Sequence, residues 1–129
     1  MNFDELDEKE LMRNLSVARV GLGAAGLLAP RMFTRTLLGR GMAGRAASFL
    51  VRIWATREVA LGMATLHEMD ADEPSTRLVE LNAAVDAVDG LAAVVAWGAL
   101  PRRTRLATVV GAVAAAGVSA NFLRATRRG

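Results

Sequence analysis

The chain of 129 residues has no cysteine, a single histidine and a single lysine. Without cysteine there is no disulfide, no thiolate metal ligand and no cysteine nucleophile. His67 alone cannot supply a cluster of imidazole ligands, so neither a metal nor a cofactor is expected. Strand-like alternation of apolar and polar residues is missing throughout, as are internal repeats and low-complexity linkers. There is no GxGxxG, no Walker loop and no nucleophile–base constellation. These absences point away from an enzyme and toward an all-α chain.

What remains is apolar and basic. Hydrophobic residues make up 53% of the sequence, and the mean hydropathy of +0.29 exceeds ordinary soluble composition. The length suits one domain. A formal charge of +3 and a pI near 10.9 raise the possibility of a soluble basic helical protein that binds nucleic acid. The arginines, however, cluster at segment ends, the layout of membrane-flanking anchors, so the lipid bilayer is the expected partner and nucleic acid is not. The acidic start, Asp4 to Glu10, lacks the positive n-region of a secretory signal, so no cleaved leader is expected.

Read in order, residues 1–10 form an acidic tail or a short surface helix, followed by four apolar spans at about 11–30, 46–69, 75–100 and 106–123. Small residues at Ala18, Gly21, Ala25 and Ala29 give the first span a face suited to close helix packing. Residues 31–45, with Arg31, Arg35, Arg40 and Arg45 among Met32, Phe33, Leu37 and Leu38, read as an amphipathic interfacial stretch. Pro74, with Asp72 or Glu73 as cap, is placed to open the third span. Trp97 fits an interfacial anchor and Trp54 a packing role. His67 reads as a solvated interfacial side chain, with a pH sensor as the other reading. The resulting expectation is a four-helix transmembrane bundle with antiparallel neighbours, both termini on one side, and multi-pass in the cytoplasmic (inner) membrane. Six basic residues at one end against seven at the other leave orientation open.

The spans carry charge in narrow lines. On the third, Asn82, Asp86, Asp89 and Ala93 share one face; on the second, Arg45, Ser48, Arg52 and Thr56 do. Lines of this kind on greasy helices point inward when lipid is outside. A central Asp or Arg costs roughly 2.5–3.5 kcal/mol on insertion and each Leu or Val returns about 0.3–0.6 kcal/mol, so the third span needs a partner. Folding spans two and three about a turn near residue 72 sets Arg57 beside Asp86 and Arg52 beside Asp89. Arg19 on the first span then lies near Glu58. The expected buried polar network is Arg19, Arg52, Arg57, Glu58, Asp86, Asp89 and Asn82, three bases against three acids. Balanced pairing favours a structural network; a site for a proton, ion or small polar ligand is the functional reading.

Arg19 before a glycine-rich run and Leu28-Ala29-Pro30, then Arg57-Glu58-x-x-Leu61-Gly62, then Asp86-x-x-Asp89, resembles a domain-of-unknown-function family of small bacterial four-helix membrane proteins, DoxX-like in size and layout. The resemblance covers roughly residues 15–123 and implies four spans, but no activity. The functional expectation is therefore a non-enzymatic scaffold or subunit, in a homo-oligomer or with a membrane-protein partner. A carrier or proton-linked protein using the polar centre is the alternative.

Overall fold

The computed structural model of the chain describes residues 3–71 and 76–126. Five α-helices and two 3-10 turns account for nearly all of them, with no strand among the described residues: α1 (Phe3–Leu28), α2 (Pro30–Leu38), α3 (Arg45–Met69), α4 (Thr76–Val95) and α5 (Arg102–Thr126). The acidic start is no separate tail, because from Phe3 onward it is continuous with α1. The expected interfacial stretch contains α2, opened by Pro30 where its missing N–H costs nothing.

Two boundaries differ from expectation. The third segment does not run on to Leu100: α4 ends at Val95 and a 3-10 turn covers Trp97–Ala99. Pro101 keeps Leu100 in extended backbone (φ −86°, ψ 140°), so helical structure stops before it. Conversely, α5 starts at Arg102, so Arg102, Arg103 and Arg105 are helical. The proposed cap at Asp72–Pro74 lies outside the described residues.

The helices pack as a tight α1–α3 pair beside an α4–α5 hairpin. On α1 the buried line is Met12, Ser16, Arg19, Gly23 and Gly26; on α3 it is Ser48, Ala55, Glu58, Gly62 and Thr65. Glycine lets the two backbones approach. A Cβ on Gly23 would stand 2.7 Å from the Ala55 carbonyl oxygen, and one on Gly62 would stand 2.9 Å from that of Ser16. The small-residue face expected at Ala18, Gly21 and Ala25 is exposed instead, and Gly21 has nothing near it. The inward face of α1 is the one that carries Arg19, because burying that side chain against Glu58 fixes the helix rotation. At the end of the bundle nearest the termini, Met12, Met69, Val79 and Phe122 form the apolar core. At the other end Phe33 of α2 meets Trp54 with ring centroids 5.3 Å apart.

The distribution of polarity is inverted. Among the described residues, and apart from glycine and proline, six apolar residues are buried against eight polar or charged ones, while nineteen large hydrophobic side chains are exposed. Val17, Phe49, Leu50, Ile53, Val88, Leu91, Val94, Val110 and Val113 are among the latter. Buried hydroxyls of Ser16, Thr34 and Thr65 donate to carbonyls one turn earlier in their own helices, which satisfies them without water. The accessible surface is 8742 Å², against about 6,600 Å² for a compact soluble monomer of this mass. Among the described residues one helix, α5 over Arg102–Arg124, is long and apolar enough to cross a membrane. α1, α3 and α4 fall outside the same measure, so four spans are not met by it.

Candidate functional site

The charged side chains of α1, α3 and α4 converge in one chain of ion pairs. Arg19 donates through Nε to Glu58 Oε2 at 2.9 Å and through its fork to both oxygens of Asp86, at 2.7 and 3.1 Å. Arg57 grips both oxygens of Asp89, with Nη1 at 3.0 Å from Oδ1. Its Nη2 also reaches Glu58 Oε1 at 2.9 Å. Glu58 thus bridges the two guanidinium groups, one oxygen to each. Bidentate charge-assisted pairs of this kind combine strength with fixed geometry. Arg19 and Glu58 are buried, whereas Arg57 and Asp89 are only partly so, with side chains 35% and 41% exposed.

Two expected pairings are replaced. Asp86 belongs to Arg19, not Arg57, and Asp89 belongs to Arg57, not Arg52. Arg52 is not in the network at all: it is exposed on α3 beside Thr56, and only Ser48 of that expected line is buried. The inward line of α3 follows Glu58, the acid of that helix that faces Arg19, and this turns Arg52 outward. The balance of three bases against three acids therefore fails. Two guanidinium groups face three carboxylates, which leaves one negative charge in excess. Asn82 is buried but separate, donating to Thr65 Oγ1 at 2.7 Å while its own Oδ1 has no partner. Arg57 Nε is likewise buried and unpartnered.

A cavity of about 540 Å³ opens beside this network. Arg19, Glu58, Asp86 and Asp89 form its charged wall, and the remainder is mostly apolar, with Leu22 and Trp54 opposite small residues of α4 and α5. The volume lies within the range of small-molecule sites, which are largely apolar with a few convergent polar groups. Gly90, Ala93, Gly111, Ala112 and Ala115 leave this space open because they are small. Sequence reasoning missed the cavity; the signal available was the run of small residues on the inward faces of α4 and α5. No three described His, Cys, Asp or Glu residues are placed to hold a metal ion.

His67 and Trp97 lie away from the centre. His67 is exposed near the end of α3. Trp97 is 39% exposed, with the Arg105 guanidinium 5.5 Å from its ring centroid. Trp54 packs inside, as expected from its depth. No family model, curated protein or solved structure matches this chain.

Proposed function

We propose that this protein is a small multi-pass bundle of the cytoplasmic membrane, and that its polar centre is the charged end of a binding cavity for a small cationic ligand or a proton. The likeness to small four-helix bacterial membrane proteins belongs to the same proposal. The observation that carries the binding role is the cavity ending on Glu58, Asp86 and Asp89, where carboxylates outnumber guanidinium groups. Charges inside a membrane-embedded bundle are costly and mark ion or substrate sites. The bilayer itself is supported by the inverted burial, since exposed apolar surface on this scale is foreign to soluble monomers. A second reading, a scaffold or subunit with a purely structural network, is favoured by one fact: every carboxylate of the centre already has a guanidinium partner.

Two measurements test this. The protein is expected in alkaline-washed membranes, and recovery in the high-speed supernatant would overturn the membrane reading. For the cavity, the full chain in an uncharged detergent should bind the lipophilic cation tetraphenylphosphonium saturably and ignore the isosteric anion tetraphenylborate. Ala112→Leu, which fills the cavity, should abolish binding, and Asp86→Asn should weaken it at least about tenfold, the equivalent of one lost charge interaction. Equal binding of both ions, or none, sinks the ligand reading in favour of the scaffold.

A further inference from the structure

The end of the bundle farthest from the termini carries positive charge alone. From Ala29 to Arg57 the sequence has no acid, and none follows Asp89. Within this region Arg31, Arg45 and Arg52 line a single cleft of about 640 Å³, formed where α1 hands over to α2 and where α3 begins. None of the three has a carboxylate partner among the described residues.

Their position makes this costly. Arg31 lies in the first turn of α2 and Arg45 is the first residue of α3. Neither Ala29 nor Gly44 supplies a side-chain cap, and neither first turn holds an acid. Helix N-termini are electropositive and offer unpaired N–H groups, so cations there are unfavourable and anions favourable. Two such N-termini meet at this cleft, and each carries an arginine where an acid belongs. Arg52, which the polar centre leaves aside, adds a third charge two turns further along α3. Among the described residues no carboxylate offsets this arrangement.

We propose that the cleft binds a phosphate oxyanion, supplied by an anionic lipid headgroup or by free phosphate. Arginine forks match phosphate geometry bidentately, and helix N-termini add backbone donors. The cleft is roomier than a bare phosphate needs, and Leu28 and Met32 at its rim are 86% and 69% exposed. Exposed arginines beside exposed apolar side chains suit the phosphodiester and glycerol of a lipid. The site is independent of the polar centre and shares no residue with it.

The test uses the full chain in an uncharged detergent and native mass spectrometry. Phosphatidylglycerol should be retained at least about tenfold more than phosphatidylcholine. Arg31→Gln, Arg45→Gln and Arg52→Gln together should remove that preference. Arg35→Gln, Arg102→Gln and Arg103→Gln together delete equal charge from the same end and should leave it intact. Arg52→Gln alone alters only an exposed side chain and should cost about tenfold even if the triple variant folds poorly. Displacement by millimolar inorganic phosphate identifies free phosphate as sufficient; retention of lipid in its presence identifies the headgroup. Equal loss in both triple variants reduces the effect to a diffuse field, and that result, or no preference in the unmodified chain, overturns the site.

Discussion

Replacing Arg19 with methionine keeps an unbranched side chain of similar length and deletes the one charge that serves both Glu58 and Asp86. Glu58 would keep Arg57, but Asp86 would lose its only guanidinium, and the centre would go from one excess negative charge to two. Removing one partner of a buried pair typically costs about 3–5 kcal/mol, because the survivor is left charged and desolvated. The Glu58 side chain is 8% exposed and that of Asp86 is 20%, so the low end of that range applies. For a chain of this size about 3 kcal/mol corresponds to a melting temperature lowered by about 10–15 °C. Thermal unfolding followed by circular dichroism at 222 nm in one detergent reads the shift. A triple variant, Arg19→Met with Glu58→Gln and Asp86→Asn, removes the stranded charges and should recover more than half of the loss. If Arg19→Met melts within about 2 °C of the unmodified chain, or if the triple variant is no better than the single one, the ion pairs do not carry the fold as argued.

The revised pairing is open to double-mutant cycles: coupling of about 1–3 kcal/mol is expected for Arg19 with Asp86, and less than about 0.5 kcal/mol for Arg52 with Asp89. Gly62→Ala should cost about 1–3 kcal/mol, since its Cβ meets backbone of α1 that cannot move aside. Gly21→Ala, with open space around it, should be neutral or stabilising by up to about 1 kcal/mol through helix propensity; chemical denaturation separates the two glycines.

Much of the architecture was legible because long apolar stretches bounded by Pro30 and Pro101 leave few alternatives to helices. Asp86 and Asp89, three residues apart on α4, also announced an inward polar face. The rotation of each helix was harder to read. On α1, small residues occupy two faces, and only the requirement that Arg19 find Glu58 selects the one with Gly23 and Gly26. On α3, Arg52 and Arg57 are five residues apart and cannot share a face, so a pairing rule based on depth alone assigned both inward. The cavity was hidden for a different reason: empty space is a property of several helices at once, and an alanine that lines a void looks like one that fills a gap.

The chain of ion pairs also imposes an order on synthesis. Once α1 and α3 have left the ribosome, Arg19 and Arg57 have only Glu58 between them, and the nascent half-molecule holds a stranded cation. The helix that follows brings both missing anions, and alone it would itself be reluctant to leave water. Each half thus lacks part of the other's charge partners. A chain stalled before residue 86 would hold one guanidinium group in excess, and the finished one holds one carboxylate in excess.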